Sequence, residues 1–199
     1  MIGRLAGQPG RSVSPMTIPS DVIEAGEASL DVLERVLAGL GPDDVTRQTP
    51  CTEFDVAALT DHLMNSITVI GGIAGAQLPE RDAAAPIIDQ VTAAARPALA
   101  AWRNRGLEGT VAAGPGEMPA AQIAGILPLE FLVHAWDYAT AVGREVDAPD
   151  DLAEYVLGMT RAVINPAARA AVGFDDPVEV PADASALDQL IGFTGRRAT

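Results

Sequence analysis

Apolar positions recur every three or four residues through most of the chain, the spacing that gathers them on one face of an α-helix. The pattern predicts a first helix capped by Ser20 and running to about Leu40, with Val22, Ile23, Leu30, Val32, Leu33, Val36 and Leu37 as its inward stripe. After a break at residues 39–42, Thr52 opens a second helix with Phe54, Ala58, Leu59, Leu63, Ile67 and Ile70 facing inward. Glu53 and Asp55 suit the positive end of its dipole, and Gly71 and Gly72 weaken its far end. A third helix, from about Pro86 to Arg103, carries Ile87, Ile88, Val91, Ala95, Leu99 and Trp102, with Pro97 as a kink point and a stop near Gly106.

Residues 107–118 are glycine-rich and read as a loop with a short extended piece at 110–112. A fourth helical region covers 119–142, in which Pro128 either kinks one helix or occupies the first turn of a new one. A fifth helix over 150–164, a short sixth over 166–172, a brief strand and turn over 177–185 and a last helix over 184–193 complete the chain. The expected fold class is therefore mainly all-α. A four-helix bundle over 17–145 carries a helical extension over 146–199, with room for one small strand pair. Residues 1–16, rich in Gly, Pro and Ser, read as a flexible leader, with Met16 as an alternative start.

Composition narrows the function classes. A hydrophobic share of 48% excludes a disordered chain, and a formal net charge of −14 speaks against nucleic acid or an anionic membrane surface as partner. The most apolar stretch, 119–136, is interrupted by Gln122, Pro128, Glu130 and His134, so it reads as the inside of a bundle and not as a membrane span. Cys51 is the only cysteine and no signal-peptide core is evident, which points to the cytoplasm.

The chemistry concentrates on the histidines, of which there are 2. Glu130 and His134 are four residues apart in an apolar helix and can aim at one point. His62, beside Leu59, Leu63, Ser66 and Ile70 on the second helix, is expected to point inward and supply a third donor. Two imidazoles and a carboxylate leave one coordination position open, the pattern of a catalytic zinc site, although nickel, iron or manganese accept the same donors. The plainer alternative is a buried Glu and His that satisfy one another.

Asp137, three residues beyond His134, either hydrogen-bonds a ligand or bound water, or is a solvated or capping residue. Tyr138 either donates a proton or packs its ring in the core. These two are the candidate catalytic residues. Asn65 and Ser66 are weaker pocket candidates, and Arg81, Arg103 and Arg144 read as solvated or ion-paired. Cys51 is preferred as a packing residue over a nucleophile.

The runs TPCTEFDVAALTDHL, LEFLVHAWDYATAVG and PVEVPADASALDQLIGFTGR resemble the actinobacterial branch of the DinB-like metalloenzyme superfamily. More closely, they are similar to small proteins related to the N-terminal domain of mycothiol-dependent maleylpyruvate isomerase. The resemblance implies an up-down-down-up bundle and a divalent metal, zinc foremost, on His62, Glu130 and His134. It also implies use of a low-molecular-weight thiol such as mycothiol. The segment after Asp150 is shorter than the second domain of such an isomerase, which sets that particular reaction apart.

A metal at the open position would lower the pKa of a bound thiol and hold a thiolate ready for a small electrophile, as in an S-transferase or isomerase. The alternatives are a metal-dependent hydrolase, or a non-catalytic helical binding protein with a structural or vestigial metal site. An apolar seam at the rim of such a bundle would favour a homodimer.

Overall fold

The computed structural model describes residues 18–164, 169 and 174–197. Helix α1 (Val22–Leu37) begins at Asp21, whose Oδ1 accepts from the backbone N–H groups of Ile23 at 2.8 Å and Glu24 at 3.0 Å. The cap therefore falls one residue later than the expected Ser20. Ser20 instead donates its own N–H to the Glu24 carboxylate at 2.8 Å, so Asp21 satisfies two free amides of the helix start and Glu24 bonds back to the residue before the cap. A 3₁₀ turn (Pro42–Asp44) follows.

Helix α2 (Val56–Ile73) is capped by Asp55, which accepts from Ala58 N at 2.8 Å; the expected Thr52 cap is not used. The reason is a tight corner before the helix. The Thr49 hydroxyl donates to the Phe54 carbonyl at 2.6 Å, and Phe54 N donates to the Cys51 carbonyl at 3.0 Å. The side chain of Gln48 adds a bond to the Phe54 carbonyl at 2.9 Å, so residues 48–54 form a hydrogen-bonded loop and not a first turn.

Helix α3 (Ile87–Arg105) runs on through Pro97 and ends at Gly106, whose φ of 82° closes the turn. Proline deprives the carbonyl four residues earlier of its partner, and here that residue, Ala93, is exposed and can bond water. Where α3 crosses α2, Gly71 brings the backbones together: a Cβ at that position would lie 2.8 Å from the Ala98 Cβ. The indole of Trp102 completes the crossing, donating to the Ile70 carbonyl at 3.1 Å.

The segment expected to be a loop with one extended piece is a hairpin. Strand β1 (Thr110–Ala113) pairs antiparallel with β2 (Gly116–Pro119), and Gly114, at φ 60°, supplies the left-handed turn residue. The second strand, Gly-Glu-Met-Pro, has none of the β-branched or aromatic residues that mark strands, so cross-strand pairing alone defines it. Helices α4 (Ala120–Ala124) and α5 (Ile126–Ala141) follow, with Gly125 between them. Pro128 lies in the first turn of α5, the second of the two expected alternatives, where its missing N–H costs nothing.

Helix α5 is the central rod, buried on almost every side, and packs against α1 and α2. Helices α6 (Asp150–Val163) and α7 (Ala186–Phe193) pack on each other and touch α5. The strand expected within 177–185 does not form. That stretch is tied to the end of α7 by one backbone bond, Val178 N to the Gly192 carbonyl at 2.9 Å, and one bond makes no ladder. The leader and, apart from Arg169, the short sixth helix expected over 166–172 lie outside the described residues.

Among the described residues, α2 is long and apolar enough to cross a membrane by length and composition alone. Its apolar positions are taken up by the bundle: Leu59, Leu63, Ile67 and Ile70 are buried within the common core. The molecule is thus mainly helical with one small antiparallel strand pair.

Candidate metal centre

Two facing helices build the site. Glu130 and His134 stand one turn apart on α5, and His62 faces them from α2. Glu130 Oε2 lies 3.4 Å from His62 Nε2 and 3.5 Å from His134 Nε2, and one donor atom from each residue lies within 4.8 Å of the others. The two imidazole rings meet edge to face, with centroids 5.3 Å apart. The expected convergence of His62, Glu130 and His134 is therefore present in the geometry.

The site is graded from dry to wet. The His134 side chain is 5% exposed and that of Glu130 12%, whereas His62 is 37% exposed. Periodicity alone points His62 inward. It sits between exposed Asp61 and buried Leu63, at the rim of the α2 seam, and forms the open edge of the cluster. Phe54, from the corner before α2, stacks on its ring at 5.2 Å and limits its rotation.

Two atoms show what the cluster is suited to hold. Glu130 Oε2 and His134 Nε2 are buried and have no hydrogen-bond partner among the described residues. Buried polar atoms are normally paired, because leaving one unpaired costs about 1–3 kcal/mol. Here the orphaned atoms of both residues converge with His62 Nε2. Ligand atoms about 2.0–2.2 Å from a zinc ion in tetrahedral array are roughly 3.3–3.6 Å apart, which matches the two carboxylate–imidazole separations. The donor set and its orphaned atoms fit a divalent cation.

The other nitrogen of His134 is already engaged. Its Nδ1 lies 2.9 Å from Asp137 Oδ2, and Arg196 grips the same carboxylate with both arms of its guanidinium, Nε to Oδ1 at 2.8 Å and Nη2 to Oδ2 at 2.9 Å. Asp137 is completely buried. With Nδ1 donating to a carboxylate, Nε2 keeps its lone pair for the cluster. Asp137 is thus buried and bonded to His134, not a solvated residue.

The electrostatics follow from this packing. Burial pushes the Glu130 carboxyl up, but the polar contact and charge of His134 and His62 outweigh it and hold it far below the usual carboxylate range. Burial likewise opposes charge on His134, yet Asp137 and Glu130 raise it to about 9. Asp137, buried too, is lowered on balance by His134 and Arg196.

The remaining candidates lie elsewhere. Tyr138 is fully buried, and its hydroxyl meets Thr60 Oγ1 at 3.0 Å while Thr60 donates to the Val56 carbonyl at 2.8 Å, so the tyrosine is the donor of that pair. It links α5 to α2. Burial, only partly offset by Thr60, pushes its hydroxyl well above the ordinary tyrosine range. Asn65 is exposed, Arg81 bonds Asp61 at 2.7 Å and Arg103 bonds Glu27 at 2.6 Å.

Cys51 holds the corner through its carbonyl, which also accepts from the Thr49 hydroxyl at 3.1 Å. Its residue forms part of the wall of a cleft of about 830 Å³ between the corner and the C-terminal tail, with Arg196 among the other walls. Arg196 and Phe54 are the site residues that sequence reasoning missed. Nothing in the periodicity links an arginine beyond the last helix to an aspartate on α5.

The bundle and its His-Glu-His cluster define a class of helical proteins with a candidate metal centre in the bundle, and the comparisons with known proteins narrow it. The model of the mycothiol maleylpyruvate isomerase N-terminal domain matches residues 27–139, and the chain belongs to this DinB-like family. Two Mycobacterium tuberculosis proteins are each 28% identical to it over 179 residues, spanning 88% of this chain and 98% of their own lengths: "Uncharacterized protein Rv0738" of strain H37Rv and "Uncharacterized protein MT0763" of strain CDC 1551. No solved structure matches the chain.

Proposed function

We propose that this protein binds a divalent metal, zinc foremost with nickel as a second option, on His62, Glu130 and His134. We further propose that it uses a low-molecular-weight thiol of the mycothiol type to transfer or isomerise a small electrophile. The observation that carries the reading is the pair of buried, unpartnered atoms, Glu130 Oε2 and His134 Nε2, facing His62 in a family related to a mycothiol-dependent isomerase.

When bound, the ion acts as a Lewis acid that lowers the pKa of a thiol brought to its open position. The chain does the rest. Glu130 supplies negative charge and His134 a directed lone pair from the dry side, while Asp137 holds the His134 ring. His62, at the exposed edge and braced by Phe54, marks the side from which thiol and electrophile enter. A free Cys51 is consistent with a reducing cytoplasm, where such thiols are kept reduced.

The test uses full-length protein without a histidine tag, prepared without chelator. The expected result is one equivalent of bound metal, lost in His62→Ala, together with thiol-dependent consumption of electrophiles from a panel. Stoichiometric metal persisting in His62→Ala would refute the triad. Metal without thiol affinity or turnover would replace the enzyme with a binding protein.

A further inference from the structure

Arg196 lies beyond residues 27–139, the segment matched by the family model, yet it touches the group that orients a candidate ligand. Its seat is built. Gly195 adopts φ 87°, a conformation that side chains rarely tolerate, and a Cβ there would lie 2.6 Å from the Asp175 Cβ. Arg196 N donates to the Ile191 carbonyl at 3.1 Å, anchoring the tail to the end of α7. The side chain then runs inward and remains only 12% exposed.

The contact is a two-toothed fork on a fully buried carboxylate. Asp137 Oδ1 has Arg196 as its only hydrogen-bond partner among the described residues, while Oδ2 is shared between Arg196 and His134. Take away the guanidinium and Oδ1 becomes an unpaired buried oxygen, so the carboxylate must rotate, take up a proton or draw in water. Any of these releases the His134 ring. A planar guanidinium prevents it by holding both oxygens in one plane, which a lysine ammonium cannot reproduce.

We infer that Arg196 is a positioning residue of the metal centre: it fixes the Asp137 carboxylate that orients His134, so the C-terminal segment is part of the functional site. The inference rests on the proposed binding of metal at His134. It differs from a simple tie between tail and bundle, because a tie would support stability without setting the properties of the ion.

The experiment measures zinc affinity of the untagged full chain by competition with a chromophoric chelator, and the visible spectrum of the cobalt(II)-loaded protein. Arg196→Gln and Asp137→Asn should each weaken zinc roughly ten- to hundredfold and shift the cobalt bands. The double variant should be no weaker than Asp137→Asn alone, because both act through one carboxylate. Arg196→Lys, which keeps charge but loses the fork, should recover part of the affinity and serves if Arg196→Gln folds poorly.

Leu190→Ala, which removes a fully buried side chain of α7, is the control for stability and should lower Tm with the cobalt spectrum unchanged. The inference is overturned if Arg196→Gln keeps wild-type affinity and spectrum, if the two single losses simply multiply, or if Leu190→Ala weakens zinc equally. A wild-type chain that binds no zinc sinks the metal reading itself. An unchanged Arg196→Gln beside a zinc-binding wild type sinks only the role of Arg196.

Discussion

The two nitrogens of His134 have separate duties: Nδ1 is spent on Asp137, and Nε2 is buried and unpaired among the described residues. Its neighbour Tyr138 has the opposite character, because its one hydroxyl is already committed to Thr60. Tyr138→Phe should therefore cost about 1 kcal/mol of stability, the value of one hydrogen bond, and leave turnover unchanged. Denaturant unfolding and steady-state kinetics check this. A hundredfold fall in kcat with an intact fold would give the tyrosine a proton-transfer role after all. At this scale two of the candidate donors, Glu130 and His134, were legible in the sequence, since so few polar residues interrupt the apolar run of 119–136. The half-exposed setting of His62 was not, because a helix face read from spacing has no defined rim.

At the scale of elements, the best-read helices are those whose apolar stripe is long: α1, α3 and α6 lie close to where periodicity puts them. Their ends are less legible. Both corrected caps moved to an aspartate, Asp21 for Ser20 and Asp55 for Thr52, because each aspartate can reach a free amide while the preceding backbone is held by other bonds. The glycines at the end of α2 read in the sequence as a weakness, whereas Gly71 is a contact. Gly71→Val should force α2 from α3 at Ala98 and destabilise the protein by roughly 1–3 kcal/mol. Gly72→Ala, in open space, should be neutral or slightly stabilising through helix propensity. Equilibrium unfolding of the two variants tests the crossing, and equal effects would refute it.

For the whole molecule, a ligand held between α2 and α5 couples to global stability, because the unfolded chain does not bring His62 to Glu130 and His134. Free zinc at about a thousand times its Kd should add about 4 kcal/mol, and chelation should lower Tm correspondingly. Calorimetry with and without chelator checks this; the effect should vanish in Glu130→Gln, where the central donor is gone. A stabilisation by zinc that persists in Glu130→Gln would mean that the ion sits elsewhere.

The sequence by itself determined the helical class, the approximate helix spans and the types of the three candidate donors. Each is written in spacing along one segment, and a helix converts spacing of three or four directly into a shared face. Only the tertiary structure decided that the second half of the 107–118 loop pairs as a strand, that 177–185 does not, and that Arg196 reaches Asp137. The hairpin depends on pairing across a turn that the second strand's residue types do not signal, and the other two on contacts between residues remote in sequence, set by how α5, α6 and α7 pack. Periodicity within a helix carries no information about that packing.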